Sequence, residues 1–203
     1  MTRYDAILFD FDGVLLDSEP VHCAAWAEIL KPFFYQLTWD YYLKHCVGFH
    51  DTQVIQTLAA TCPQLPVQAL RSLYPAKRDL FLQKIQDAPP FAPDLIPLLR
   101  SLDRYKLAVV TSSARSEVEP VLIAGNLRQF FQILVCGDDP VTPKPAPDPY
   151  LLAARLLQAN QPLVVEDTDM GVASAQAAGF DVVRVTDAHQ MPGLLRAKLA
   201  AQY

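Results

Sequence analysis

Hydrophobic positions follow two different plans along this chain. Near the N-terminus, and again after residue 104, they come in short unbroken runs: Tyr4 to Asp10, KLAVVTSS (106–113), QILVC (132–136), PLVVED (162–167) and DVVRVT (181–186). Runs of that length, rich in Val, Leu and Ile and stopped by Asp, Gly, Ser or Pro, predict strands buried on both faces. Between the later runs the period changes to three or four. That spacing predicts helices over 93–103, 116–125, 148–159 and 170–179, the last ended by Gly179, and one more to the C-terminus. Pro120 would interrupt a helix begun at Ser113, so that helix is expected to start later. Strand–helix alternation of this kind implies a doubly wound α/β core, a parallel sheet covered on both faces.

The stretch from about 17 to 88 holds only helical patterns. Ser18 is placed to cap a helix that starts near Pro20 and runs through Trp26 to Leu30. DTQVIQTLAA (51–60) opens on an Asp or Thr cap, and VQALRSLYPAKRDLFLQKI (67–85) is expected to break at Pro75. The proline-rich DAPPFAPDL (87–95) reads as a linker. The first strand is thus separated from its partners by a helical insertion. The expected domains are a discontinuous α/β core, 1–15 and 90–203, and a helical cap, 16–89. Two linkers permit a hinge, and in such sheets ligands bind at the carboxyl ends of the strands.

Composition narrows the function. With 51% hydrophobic and 19% charged residues the chain can bury a sizeable core. A net charge of −5 speaks against nucleic acid or an anionic membrane as partner. No apolar run approaches the roughly 20 residues needed to span a bilayer, and Met1 to Asp5 does not open a signal peptide. The four cysteines (Cys23, Cys46, Cys62, Cys136) show no CxxC and no metal-ligand spacing, which reads as reduced thiols in a cytoplasmic protein.

The candidate chemistry lies at the strand ends. The first strand ends in Asp10-Phe11-Asp12, the second in Thr111-Ser112-Ser113 and the fourth in Glu166-Asp167, with Lys144 in the loop TPKPAPD. Asp10 and Asp167 could share a hard cation such as Mg2+, which prefers oxygen ligands. A carboxylate can also attack phosphorus, and a second one two positions away can move the proton of the leaving oxygen. Hydroxyls and backbone N–H groups at 111–113 suit phosphate oxygens, and Lys144 supplies a point charge. Taken singly these features have plainer readings: an Asp-rich turn, and an N-cap at Thr111 to Ser113.

Together, DFDGVLLDSE, VVTSS, KPAPDPY and VVEDTDMGVASAQAAG resemble the four motifs of the haloacid dehalogenase superfamily, closest to its phosphatase and β-phosphoglucomutase-like branch, whose helical cap follows the first motif. The resemblance covers nearly the whole chain. It implies that Asp10 is the nucleophile that becomes an aspartyl-phosphate. Asp12 would be the general acid/base, with its backbone carbonyl on the metal, and Asp167 the side-chain ligand of Mg2+. Glu166 and Asp169 would stand behind the metal, while Thr111, Ser112 and Lys144 bind the phosphoryl group. An acid at Asp12 sets the chain apart from the dehalogenases, which lack it. Ser18 and His22 would begin the cap and face the substrate, or only cap and pack the helix. Lys77 would reach the substrate or sit on a solvated helix face. Mutase relatives carry an arginine three residues after a cap glycine; here Gly48 is followed by Phe49, His50 and Asp51, and a carboxylate there would repel a second phosphate.

The expected function is therefore Mg2+-dependent hydrolysis of a small phosphomonoester, a sugar phosphate or related metabolite, by a monomer or dimer. The alternatives are a β-phosphoglucomutase-like phosphomutase and a non-catalytic binding module on the same fold.

Overall fold

The structure is a computed structural model that describes residues 4–62, 64–87 and 89–201. The chain divides into two compact units, Met1–Asp17 with Pro90–Tyr203, and Ser18–Pro89. Among the described residues the first unit holds a five-stranded sheet. Its strands are β1 (Ala6–Phe9), β2 (Lys106–Val110), β3 (Ile133–Val135), β4 (Pro162–Glu166) and β5 (Asp181–Arg184). All neighbours pair in parallel, in the order β3-β2-β1-β4-β5.

β1 is the central strand, and every one of its residues is buried. Ala6 and Leu8 face a cluster with Ala108, Val110, Val135 and Val164 that also takes in Tyr150, Ala153 and Leu157 from a helix. The alternate residue Phe9 meets Phe131 edge-on, ring centroids 6.0 Å apart. Two buried faces explain why the strand lacks a polar alternation.

The strands are shorter than their apolar runs. β2 stops at Val110 and β4 at Glu166, and the polar residues that follow stand on the rim. The first boundary also lies later than residue 15. Leu16 bridges to Asp12 and to Phe91, and the Asp17 N–H bonds to Pro90 O, so the chain stays with the sheet through Asp17.

The helices of the second unit are α1 (Glu19–Leu30), α2 (Trp39–His45), α3 (Asp51–Thr61) and α4 (Val67–Asp87). They close on one cluster that includes Trp26, Leu30, Tyr42, Ile55, Leu58 and Leu70. The expected break at Pro75 does not occur; α4 runs through it. The lost backbone hydrogen bond and ring clash cost about 3 kcal/mol. Leu70, Phe81 and Ile85 are fully buried along the same helix, each worth about 1.5–3 kcal/mol, so together they outweigh the proline. The cap of α3 is also not Asp51 or Thr52. His50 takes that place, its Nδ1 accepting from Thr52 N.

The sheet is flanked by α5 (Leu95–Ser101), α6 (Arg115–Ala124), α7 (Asp148–Leu157), α8 (Asp169–Ala177) and α9 (Met191–Ala200). α6 begins only two residues after Ser113 and contains Pro120, because Val118, Val121 and Leu122 bury its inner face on both sides of the proline. Among the described residues no helix is long and apolar enough to cross a membrane.

Candidate active site

The ends of β1, β2 and β4 are adjacent because of the strand order, and so are the residues that follow them. Asp10 continues the ladder with its N–H to Val165 O at 2.9 Å, and Thr111 does so to Val135 O at 2.9 Å. Their side chains therefore leave the sheet at one level. Lys144 comes from the loop before α7 and is buried against them.

The Lys144 ammonium organises this rim. It donates to Glu166 Oε1 (2.6 Å), Asp10 Oδ1 (2.8 Å) and Val110 O (3.0 Å). Three N–H groups thus meet three acceptors. Glu166 collects more donors than Asp10. Its Oε1 also accepts from the Tyr150 hydroxyl (3.0 Å), and its Oε2 accepts from Asp167 N, Thr168 N and Thr168 Oγ1 at 2.8, 2.9 and 3.1 Å. The Tyr150 ring lies 4.9 Å from Lys144 Nζ, a cation–π contact on the same ammonium.

The electrostatics follow from this unequal sharing. Burial pushes the Asp10 carboxyl up to about 8, against the pull of Lys144 and helped by the Glu166 charge. Burial acts on Glu166 too, but there the Lys144 charge and the hydrogen bonds outweigh it and hold the carboxyl below its ordinary value. Lys144 is desolvated yet held well above the usual lysine value by Asp10 and Glu166. Two carboxylates share this ammonium, and the Asp167 carboxylate lies beside them.

Two glycines make the arrangement possible. Gly13 has φ +74°, and a Cβ there would fall on the Asp167 carboxylate. Gly171, in the first turn of α8, leaves the space that the Glu166 carboxylate fills. Five donors pin that carboxylate, so it cannot give way. Gly171→Ala is expected to lower stability by about 1–3 kcal/mol, read as a drop in thermal midpoint; an unchanged midpoint would contradict this packing.

Asp10, Glu166 and Asp167 each present an oxygen within 4.8 Å of the others. Hard oxygen donors with an excess of negative charge fit a divalent cation such as Mg2+. Glu166 has its oxygens committed to five donors, which leaves Asp10 and Asp167 as the better-placed side-chain ligands. Asp169, expected behind the metal, is elsewhere: it opens α8, is 89% exposed, and pairs with Arg184 Nη1 at 2.6 Å. One residue's advance along the helix turns it from the rim toward β5.

Asp12 stands on the turn after β1, its Oδ2 accepting from Ser113 Oγ at 2.6 Å. Thr111 Oγ1 accepts from Ser113 N at 3.0 Å, and Ser112 is half-buried between them. Ser113, expected with Thr111 and Ser112 to suit phosphate oxygens, instead turns its hydroxyl to Asp12, and Tyr150 and Thr168 are not singled out by the sequence as site residues. Tyr150 reads in the sequence as one more apolar position of α7. Thr168 shows a cap signal, fulfilled by its Oγ1 accepting from Gly171 N at 3.0 Å.

The remaining candidates lie within the helical unit. Ser18 occupies the N-cap of α1, but its hydroxyl makes no capping bond; its carbonyl accepts from Val21 N and His22 N. The Gly48 N–H donates to Glu19 Oε1 at 3.2 Å. Lys77 is not on a solvated face. Its side chain is 0% exposed, and Nζ contacts His22 Nδ1 at 2.9 Å and Asp51 Oδ1 at 3.2 Å. His22 stacks on Phe81 at 3.9 Å.

A sequence model of haloacid dehalogenase-like hydrolases matches residues 7–185. The fructose-1-phosphate phosphatase YqaB of Escherichia coli is 33% identical over 189 residues, covering 90% of this chain and 97% of that protein. The phosphorylated carbohydrates phosphatase of Thermotoga maritima is 26% identical, over 87% of this chain and 82% of that one. The crystal structure of CbbY from Rhodobacter sphaeroides in complex with phosphate superposes with a TM-score of 0.77 at 25% identity, covering 88% of this chain and 84% of that one.

Proposed function

The chain belongs to the haloacid dehalogenase-like hydrolase family and is a phosphatase of it; from that premise we propose that it hydrolyses a small sugar monophosphate, with Mg2+, through phosphorylated Asp10. The observation that carries the reading is the Lys144 ammonium bonded to Asp10 at 2.8 Å within a cluster of excess negative charge.

The chemistry follows from the geometry. Lys144 holds Oδ1 of Asp10, which orients the other oxygen of that carboxylate for attack on phosphorus. Thr111, Ser112 and Lys144 take the oxygens of the transferring group, which gathers charge in the transition state. Asp12 gives a proton to the leaving ester oxygen, and then accepts one from the water that hydrolyses the acyl-phosphate. Asp10 and Asp167, with the Asp12 carbonyl, would hold Mg2+, whose charge offsets that of the phosphate and the carboxylates. Glu166 and Tyr150 keep Lys144 in place.

The names of two relatives support a phosphorylated sugar as substrate. Asp51 supports a single phosphate. Its carboxylate neutralises Lys77 inside the helical unit, where a second phosphate would need uncompensated positive charge. The buried free thiols suit a reducing cytoplasm.

A panel of phosphorylated metabolites tests the reading, with sugar 1-, 5- and 6-phosphates and p-nitrophenyl phosphate assayed by released phosphate. Turnover of at least one sugar monophosphate is expected, abolished by EDTA and restored by Mg2+. An inert protein that still binds Mg2+ would instead indicate a binding module. Isomerisation that depends on an added bisphosphate would indicate a mutase.

A further inference from the structure

The sequence places Ser113 with Thr111 and Ser112 as a phosphate site, but its hydroxyl is committed elsewhere, and it is among the firmly held residues of the rim. Its N–H donates to Thr111 Oγ1 at 3.0 Å, and its carbonyl accepts from Gly137 N at 2.8 Å. Its hydroxyl does not cap α6, whose N-cap is Ala114 with no side-chain capping bond. The hydroxyl crosses from the end of β2 to the turn after β1 and donates to Asp12 Oδ2 at 2.6 Å.

We propose that Ser113 is a positioning residue for the acid/base carboxyl: by occupying Oδ2 of Asp12 it fixes the rotamer and assigns the transferable proton to Oδ1. The inference rests on the phosphatase reading above. A hydroxyl donating to a carboxyl oxygen makes that oxygen the acceptor and leaves the acidic hydrogen to its neighbour. In the first step an Asp10 oxygen bonds to phosphorus. The ester P–O bond breaks with its electron pair, and the departing alkoxide takes the proton from Asp12 Oδ1. In the second step water attacks phosphorus and returns a proton to Asp12, and the P–O bond to Asp10 breaks to restore the carboxylate. Both transfers need the same oxygen at the same place. A carboxyl on a short turn after a strand has two oxygens, either of which could face the substrate. A donor anchored on the neighbouring strand end removes that ambiguity.

The test is the dependence on leaving group. A sugar alkoxide cannot depart without a proton, whereas p-nitrophenolate can. Ser113→Ala is expected to lower kcat/KM for the best sugar phosphate by about 10–100-fold, within the range that general acid catalysis supplies. For p-nitrophenyl phosphate the change is expected to stay within about threefold, which also shows that the variant folds and binds phosphate. Ser113→Thr, which keeps the hydroxyl, is expected to restore turnover of the sugar phosphate. Asp12→Asn is the reference and should show the same split, enlarged. If Asp12→Asn shows the split and Ser113→Ala lowers both substrates alike, or neither, the positioning role is overturned while the phosphatase reading stands. If Asp12→Asn shows no split, Asp12 is not the acid, and both fall together.

Discussion

Asp10→Asn is expected to lower phosphatase turnover by about 10^4-fold or more, the scale on which losing a nucleophile acts. The substitution keeps the shape of the side chain and its place at the end of β1, so the loss is chemical. An amide cannot form the acyl-phosphate, and it is a poor partner for both Lys144 and a cation. The accompanying change in stability has a definite sign. Burial raises the Asp10 carboxyl from 3.8 to about 8 in the metal-free protein. The folded state therefore holds a proton that the unfolded state has already released, and stability drains away as pH rises from about 4 toward 8. The asparagine variant lacks this drain. Its unfolding free energy relative to the unsubstituted protein in EDTA should rise with pH across that window, by at most about 1.4 kcal/mol per pH unit, read as a growing difference in thermal midpoint. Turnover retained in the variant would sink the mechanism; a pH-independent difference in midpoint would show that Asp10 is not held protonated.

Lys144→Met is expected to damage both fold and activity. The methionine fills most of the same volume, so little of the effect comes from a cavity. The ammonium it removes is bonded to two buried carboxylates at 2.6 and 2.8 Å. Breaking a buried pair from one side costs about 3–5 kcal/mol, because the remaining charge has no partner and no water. Glu166 is the group most exposed to the loss. Its carboxyl lies below its ordinary value although burial opposes this, because Lys144 and the hydrogen bonds hold it there. A depressed carboxyl contributes stability that is present above its unfolded value and is lost as pH falls through the folded one. In the variant the depression is relieved, and Glu166 can take a proton at moderately acid pH. The deficit against the unsubstituted protein should therefore be largest near neutrality and shrink as pH falls toward 5. Denaturant unfolding at two pH values reads this directly. A deficit that grows on acidification would mean that Lys144 is not the ion that keeps Glu166 charged. Turnover should fall with it, since the same ammonium orients Asp10 and meets the phosphoryl group.

Much of the core was legible from local pattern. β1 reads as a strand because all four of its residues are buried and apolar. β2 to β4 are mostly buried as well, whereas β5, expected to be buried on both faces, has only Val183 buried because it is an edge strand of the sheet. Asp10, Asp12, Glu166 and Asp167 stand out because charge at the end of a buried apolar run has no packing reason to be there, and Lys144 stands out with them only through the loop motif TPKPAPD. The failures have physical causes as well. A proline in a helical pattern is read as a break, since the local loss of a hydrogen bond is all that a sequence window contains. At Pro75 the deciding quantity is burial against other elements, whereas the helix expected over 116–125, Pro120 included, forms as α6 and starts after Ser113. The cap of α3 passed from Asp51 to His50 because Asp51 is drawn to Lys77, 26 positions away.

What the chain alone determined is the alternation of buried strands and amphipathic helices, the inserted helical segment, and the kinds of group that end each strand, because these depend on residues a few positions apart. What only the tertiary structure decided is which of those groups touch. Tyr150 reaches Glu166 because α7 packs on the sheet. Asp169 turns away to Arg184 because α8 begins there. Ser113 meets Asp12 across 101 positions because β1 and β2 are paired in register. A hydrogen bond depends on distances of a few tenths of an ångström, and distances that fine are set by strand register and helix packing.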